Sequence, residues 1–203
     1  MKKFLKQKNK KNLGLARRSM AEGFTLVEML VAISIFTMSI LALLVVLTQG
    51  ISNTNYAKTK IIASYLAQEG IEYIRNMRDT FMLYDPTDSQ TGWNAFSTKL
   101  IDASCDESNG CYFDDQNLNY SNPSQPMAGI AMASCGASCP MLLYDDVTGK
   151  YGYMAGVNSG FIRKTEITVV NPDEIKVSVA LSWTQSSGNY KIVFSESLFN
   201  WIE

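Results

Sequence analysis

The stretch that decides this fold is FTLVEMLVAISIFTMSILALLVVL, residues 24–47. Its only charged residue is Glu28, and no charged side chain follows until Lys58. The nineteen residues from Met29 to Leu47 are apolar except for two serines and one threonine. A helix rises about 1.5 Å per residue, so this run is long enough to cross a hydrocarbon core of roughly 30 Å. The sequence therefore predicts a membrane anchor near the N-terminus.

A secretory signal peptide and a plain signal anchor are the two alternative interpretations of this stretch, because each combines a basic leader with an apolar run. A secretory signal peptide has an apolar region of roughly 7 to 15 residues and ends in a small-residue cleavage site. This run is longer and lacks that ending. A plain signal anchor fits the length but leaves Glu28 unexplained, because an ionisable group inside the membrane is costly and usually has a partner.

Residues 23–28, GFTLVE, resemble the processing and methylation signature of type IV prepilins and type II secretion pseudopilins. The resemblance implies that a membrane-embedded prepilin peptidase cleaves between Gly23 and Phe24 on the cytoplasmic side and N-methylates Phe24. It also implies that Glu28 pairs with the terminal amine of a neighbouring subunit during assembly. An unpaired carboxylate in lipid is driven neutral by desolvation. An ammonium about 4 Å away contributes on the order of 4 kcal/mol at an effective dielectric constant of about 20.

The charges divide sharply along the chain. Residues 1–23 carry a net charge of +7 and residues 24–203 carry −8. By the positive-inside tendency, the leader stays cytoplasmic and the C-terminal part lies outside the membrane. A nucleic-acid role for the basic run KKFLKQKNKK is the competing interpretation. Removal of the leader with the prepilin cleavage argues against it, so nucleic acid is not indicated as a partner.

Four cysteines and no histidine occur in the chain, and all four cysteines follow the anchor: Cys105, Cys111, Cys135 and Cys139. An exported segment permits disulfides, whereas structural zinc sites favour gaps of two to four residues within each pair. Four cysteines allow three pairings, which sequence cannot decide. Shorter loop closures cost less entropy, so we predict Cys105 with Cys111 and Cys135 with Cys139. No metal site and no cofactor is predicted.

The apolar run continues into a more polar segment without a helix-breaking signal, because no proline occurs before Pro86. We predict one helix from about Phe24 to Asp79, with an apolar stripe on its second half. The stripe comprises Ile62, Leu66, Glu69, Tyr73 and Met77, widened by Tyr65 and Ile74. Gly50 and Gly70 mark weak or close-packing points in this helix. Residues 65–72 and 75–79 further resemble minor pilins more than major ones.

Residues 80–140 are rich in Asp, Ser, Asn, Gly and Pro, with turn signals at Asp85-Pro86 and Asn122-Pro123. Most of this region is predicted to be loop. One short helix is predicted after Thr91-Gly92, its apolar face formed by Trp93, Phe96, Leu100 and Ile101. The acidic pairs Asp114-Asp115 and Asp145-Asp146 lack the alternating oxygen ligands and spaced glycine of an EF-hand loop, so solvated turns are expected there.

Period-two patterns dominate after Cys139. Residues 141–144 and 151–153, separated by a turn at 145–149, predict a hairpin. From Ile175 to Trp183 apolar residues alternate strictly with smaller or polar ones, and the alternation resumes from Tyr190 to Phe194. With Ile167 and Val169 these segments predict an antiparallel meander with one apolar face, covered by the stripe of the long helix. Near the end of the chain, residues 181–184 (LSWT) and 198–201 (LFNW) again resemble pseudopilin-like proteins.

The predicted fold is therefore α+β and pilin-like, a long N-terminal helix packed on a four- or five-stranded antiparallel sheet with a cysteine-stapled loop region. We expect a removed leader at 1–23, a membrane or filament-core helix at 24–50 and an extracytoplasmic head at 51–203. The head divides into an amphipathic helix (51–79), a variable loop (80–140) and a sheet (141–203). No nucleophile motif, phosphate-binding loop or histidine indicates an enzyme.

The expected function is that of a structural subunit, a minor pilin or pseudopilin of a type IV pilus-like or type II secretion-like filament. Its expected partners are the prepilin peptidase, other pilin subunits, the assembly platform in the inner or cytoplasmic membrane, and lipid before assembly. The chain is then a single-pass membrane protein that moves into a cell-surface or periplasmic filament. The alternative is a monomeric anchored binding module whose loop recognises a surface, a sugar or DNA.

Overall fold

The computed structural model of the chain describes residues 23–84, 89–114, 132–185 and 188–200. The chain divides into two compact units, Met1–Gly50 and Ile51–Glu203. Helix α1 (Leu26–Tyr84) contributes to both. The leader up to residue 22 and the turn signals at Asp85-Pro86 and Asn122-Pro123 lie outside the described residues.

The described part of the first unit is the apolar beginning of α1, and every side chain from Leu26 to Gly50 is exposed. Its hydroxyl groups bond to the backbone of their own helix. Ser34 and Ser39 donate to the carbonyls of Val31 and Ile35 at 2.8 Å, and Thr37 donates to that of Ser34 at 2.9 Å. Because these groups are satisfied within the helix, they add little to the cost of placing it in lipid.

The second unit contains the rest of α1, a second helix and an antiparallel sheet. Helix α2 spans Ser89–Asp102. The strands are β1 (Cys111–Phe113), β2 (Met132–Ser134), β3 (Met141–Asp145), β4 (Lys150–Gly152), β5 (Val157–Asn171), β6 (Glu174–Gln185) and β7 (Gly188–Phe199). The α+β class, the β3–β4 hairpin and the β5–β6–β7 meander are confirmed.

Strand β5 organises the sheet. On one edge it pairs with β6 from Phe161↔Trp183 to Asn171↔Glu174, and β6 pairs onward with β7. On its other edge β5 pairs with β3 near Val157 and with β1 at Thr165. Seven strands result within the described ranges, so the prediction of four or five was wrong. Two of the additional strands, β1 and β2, lie in the region predicted to be mostly loop.

The core forms where α1 lies on the inner face of β5 and β6. Leu66, Ile74 and Met77 of the predicted stripe are at most 3% exposed, as are Val177 and Val179 of β6. At Gly70 the helix comes close to β6, because an added Cβ would lie 2.9 Å from Val179 Cγ1. Tyr65, predicted to widen the buried stripe, is instead 68% exposed. The helix also extends five residues beyond its predicted end, to Tyr84.

Helix α2 closes the core at the end of the meander, as the apolar spacing predicted. Trp93, Phe96 and Leu100 are at most 1% exposed, whereas Ile101, predicted on the same face, is 44% exposed. The indole N–H of Trp93 donates to the carbonyl of Pro172 at 2.7 Å, in the β5–β6 turn. This bond satisfies the polar atom of a buried tryptophan and ties α2 to the sheet.

Both cysteine pairs form the predicted disulfides, Cys105–Cys111 and Cys135–Cys139. The first lies against β5, because the Cys105 carbonyl accepts a 2.8 Å bond from the Ile167 amide and Cys111 pairs with Thr165. Gly110, just before Cys111, has a φ of +65°, and a Cβ there would lie 2.5 Å from the Thr165 carbonyl oxygen. Glycine is therefore required at this position.

The two acidic pairs lie in different surroundings. Asp114 is 8% exposed, so the solvated turn predicted for it was wrong; Asp115 lies outside the described residues. Asp145 holds its own turn, accepting bonds from the Val147 amide at 2.9 Å and the Thr148 hydroxyl at 2.7 Å. Asp114 and Asp145 line one cavity of about 190 Å³. In the part of the chain that the structure describes, no three acidic or cysteine side chains are grouped as metal ligands.

Arg163, on the inner face of β5, is 2% exposed and was not predicted as a core residue. Its guanidinium lies 4.7 Å from the centroid of the Phe113 ring, which stacks on Tyr73 of α1 at 3.9 Å. A 3.3 Å bond joins it to the Phe113 carbonyl, and Glu69 of α1 lies 3.9 Å away. Arg163 therefore connects β5, β1 and α1 through stacking and charge.

Candidate functional site at the start of helix α1

The predicted cleavage site lies just before the first helical residue. Gly23, Phe24 and Thr25 are not helical, and α1 begins at Leu26. The side chain of Phe24 is 80% exposed, and no described atom lies within 4 Å of the Cβ position of Gly23. The peptide between Gly23 and Phe24 therefore lies outside the helix, beside an exposed side chain.

Glu28 and Thr25 cap the N-terminus of α1 reciprocally. The Glu28 carboxylate accepts bonds through Oε2 from the Thr25 amide and the Thr25 hydroxyl, each at 2.9 Å. The Thr25 hydroxyl oxygen in turn accepts a 3.2 Å bond from the Glu28 amide. This arrangement is a capping box, which satisfies amides that the first turn of a helix leaves without partners. The helix therefore starts at a fixed residue, immediately after the predicted cleavage site.

Thr25 is the residue of this site that sequence reasoning missed. Its signal was present, because a threonine followed three residues later by glutamate before an apolar run is the pattern of a capping box. The prediction from sequence gives Glu28 one role, that of pairing with the terminal amine of a neighbouring subunit. Both bonds from Thr25 use Oε2, and among the described residues no bond to Oε1 is formed. One carboxylate oxygen is thus engaged in the cap while the other stays available.

The segment that follows has the length and composition of a membrane span. Helix α1 is the one described helix that meets both conditions, and its apolar window contains no buried residue. Glu28 thus stands at the beginning of an exposed apolar helix rather than within a protein core. The cysteines of the predicted disulfides belong to the second unit, and Gly23, Phe24 and Glu28 belong to the first.

Residues 18–47 match the family model of the prokaryotic N-terminal methylation motif. The chain carries the prepilin-type signature. This match supports the pilin and pseudopilin superfamily, as the resemblance of GFTLVE implied, and the motif indicates a structural protein. No curated protein and no solved structure matches the chain. The methylation motif, the apolar helix and the disulfide-bonded α+β unit together fit a membrane-anchored, pilin-like protein.

Proposed function

We propose that this chain is a structural subunit, a minor pilin or pseudopilin, of a type IV pilus-like or type II secretion-like filament. The observation that carries the proposal is the methylation motif at residues 18–47, which includes the exposed apolar beginning of α1. The α+β second unit with two disulfides suits the extracytoplasmic head of such a subunit.

In this proposal, a prepilin peptidase cleaves the non-helical peptide between Gly23 and Phe24 and methylates Phe24. Cleavage removes the +7 leader and leaves residues 24–50 as the membrane and filament-core helix. The head, residues 51–203, lies outside the membrane. The remaining partners are other pilin subunits, the assembly platform and, before assembly, the lipid around the apolar helix.

Glu28 acts in assembly through its second carboxylate oxygen. In lipid, an isolated carboxylate is costly and gains greatly from an ammonium partner. The terminal amine of a neighbouring subunit supplies that partner and thereby fixes the axial register of the two helices. Because Thr25 holds Oε2 at the helix start, the carboxylate is already oriented when the neighbouring amine arrives.

Substitutions at Glu28 separate the charge from the cap. Glu28→Gln keeps an oxygen for the capping box but loses the negative charge, and Glu28→Ala loses both. We expect each variant to abolish co-assembly with other pilins, measured as the fraction of the chain recovered in sheared, sedimented filaments. Thr25→Ser keeps the hydroxyl and serves as the matched control, for which assembly persists.

Normal assembly of Glu28→Gln would show that the carboxylate acts only as a cap. A monomeric anchored binding module, the alternative function, would be unaffected by either Glu28 substitution. Mass spectrometry of the mature amino terminus tests the processing step, with N-methylated Phe24 expected as the first residue. A terminus near Met1, or one after residue 47, would contradict the proposal.

A further inference from the structure

Strand β7 ends the sheet with an open edge. Among the described residues β7 pairs only with β6, from Glu174↔Phe199 to Gln185↔Gly188. Alternate N–H and C=O groups of its twelve residues therefore point away from β6, towards no other described strand. A long open edge of this kind is a template for pairing with another extended chain.

A groove of about 560 Å³ lies between β7 and the neighbouring face of α1. Phe194 and Glu196 line it from the strand, and Tyr65, Glu69 and Glu72 line it from the helix. Side chains on the inner face of any strand added to β7 would enter this groove, because paired residues in a sheet project to the same side.

The inner face of β7 carries apolar surface that α1 leaves partly uncovered. Its side chains at Tyr190, Ile192 and Phe194 are only half-buried, whereas their partners on β6, Trp183, Leu181 and Val179, are at most 5% exposed. On α1, Tyr65 is 68% exposed in the groove, and Ile61, one turn earlier on the same helix face, is 57% exposed. Large apolar side chains thus meet solvent on both sides of one groove.

The charges that line the groove are mainly negative. Glu69, Glu72 and Glu196 contribute carboxylates, and Arg75 contributes the one guanidinium among the lining residues. Arg75 bonds to both Glu72 and Glu196, at 2.6 Å and 2.7 Å. Glu69 also lies 3.9 Å from the buried Arg163, so three carboxylates face two guanidiniums and the groove keeps a net negative charge. This charge attracts a cationic side chain, and Tyr65 and Phe194 on the two sides of the groove favour apolar neighbours for it.

We propose that this groove accepts an extended segment of a different pilin subunit, rather than of a second copy of this chain, and that the segment adds to β7 as an eighth strand. Every second residue of the segment enters the groove, and these residues are apolar with a central lysine or arginine. Backbone bonds to β7 supply affinity, and the groove supplies specificity. That the segment comes from another subunit rests on the proposed function, whereas the chemistry of the groove does not.

Hydrogen exchange on the full chain in detergent micelles tests the proposal with two synthetic peptides. The first is acetyl-Thr-Val-Thr-Lys-Thr-Val-Thr-amide, which presents Val, Lys and Val on one face, and the second has Glu in place of Lys. At millimolar concentration we expect the lysine peptide to slow exchange of the β7 amides at least fivefold. The glutamate peptide is expected to leave their exchange within twofold of the free protein.

A charge reversal in the groove gives the matched variant. Glu72→Lys leaves Arg75 paired with Glu196, so the helix remains attached to β7 and the fold is kept. We expect this variant to lose protection by the lysine peptide and to gain it from the glutamate peptide. Lys176→Glu, a reversal on the exposed outer face of β6, is the control and should behave as the unmodified chain.

Absence of protection by either peptide would overturn the proposal, and equal protection by both would overturn the assigned charge. Protection that rises with the concentration of the chain alone would identify a second copy as the occupant, and protection only with added phosphatidylcholine vesicles would identify a lipid surface. Each result contradicts the proposed segment. The function proposed above is tested independently, since Glu28→Gln should fail to co-assemble yet still bind the lysine peptide.

Discussion

At Gly70, the absence of a side chain allows α1 to pack closely on the sheet, and a methyl group added there would contact Val179. Alanine favours helix over glycine by about 1 kcal/mol. The added Cβ would, however, lie 2.9 Å from Val179 Cγ1 and 3.2 Å from its Cγ2, and overpacking of a core costs about 1–3 kcal/mol. Valine on a buried strand is stiff, so we expect Gly70→Ala to destabilise the head by about 1 kcal/mol. Urea unfolding followed by tryptophan fluorescence measures the change.

Gly50→Ala is the matched substitution in the same helix. Apart from the backbone of its own helix, no atom of the described residues lies within 4 Å of its Cβ position, so the head should lose no stability. Equal stability of Gly70→Ala and the unmodified chain would show that Val179 moves aside at no cost.

Asp145 gives the β3–β4 turn a dependence on pH. Bonds from the Thr148 hydroxyl and then the Val147 amide lower the pKa of this carboxyl, because they favour its charged form. A lowered pKa in the folded state stabilises the turn above the ordinary pKa of aspartate, and that contribution disappears as the pH falls through the folded-state value. We therefore expect the Val147 and Thr148 amides to exchange faster, relative to their intrinsic rates, at pH 2 than at pH 6. Asp145→Asn should remove this difference, and a difference that persists would assign it to another group.

At the scale of elements, the two disulfides differ in what surrounds them. Cys105 and Cys111 are 0% exposed and lie against β5, whereas Cys135 and Cys139 are each 6% exposed and the three residues between them are exposed. Loop closure alone gives each bridge about 2 kcal/mol. A buried serine hydroxyl without a partner costs roughly a further 1–3 kcal/mol. We therefore expect the double serine variant at 105 and 111 to lose more stability than the one at 135 and 139.

Thermal unfolding of the two double variants measures this order, and equal losses would contradict it. Intact mass after alkylation without reductant counts free thiols in the exported chain, and none is expected. Four alkylated cysteines would refute both bridges in the mature protein.

Hydrogen bonds from Asn200, just after β7, connect helix α2 with the β5–β6 turn. Besides the Trp93 bond, the Asn200 side chain donates to Gln90 of α2 and to Asp173 of the β5–β6 turn, each at 2.9 Å. The Asn200 amide also donates to the Asp173 carbonyl at 2.9 Å. These bonds hold the start of α2, the β5–β6 turn and the end of β7 together, so the three should open as one group.

At the scale of the whole molecule, the two units should lose structure separately. The apolar part of α1 in detergent keeps its backbone hydrogen bonds within the helix, whereas the head depends on a shared core. Heating should therefore complete the fluorescence transition, which reports the core residues Trp93 and Trp183, while roughly a third of the helical signal remains. A fluorescence midpoint that coincides with complete loss of circular dichroism at 222 nm would contradict independent units.

Periodicity predicted those elements whose inner positions are apolar. The alternation from Ile175 to Trp183 gave β6, and the spacing from Trp93 to Leu100 gave α2. The first half of β5 was not predicted because two polar residues, Arg163 and Thr165, occupy its inner positions. Arg163 finds its partners on β1 and α1. Strands β1 and β2 have three residues each, too few for a period to show.

The sequence predicts residues that belong to a local motif, but it does not predict exposure that depends on how α1 packs on the sheet. GFTLVE lies within the matched methylation motif, since that signature is local, while the roles of Gly23, Phe24 and Glu28 in processing and assembly stay predictions. The exposure of Tyr65 follows from the position of α1 over β5 and β6, which leaves β7 only partly covered. A helical stripe in a sequence cannot show how many strands the helix reaches across.

The apolar face of α1 is synthesised well before the strands that cover it, because the two are far apart in the sequence. The buried face of α1 extends past the predicted stripe to Met82, and β5 begins roughly 75 residues later. At about 5–20 residues per second, the apolar face of α1 waits several seconds for β5 and longer for β6 and β7. During that interval the anchor is already made while the head has no core. A chain interrupted before β6 would therefore remain in the membrane with its helix stripe uncovered, a substrate for proteolysis or aggregation rather than for assembly.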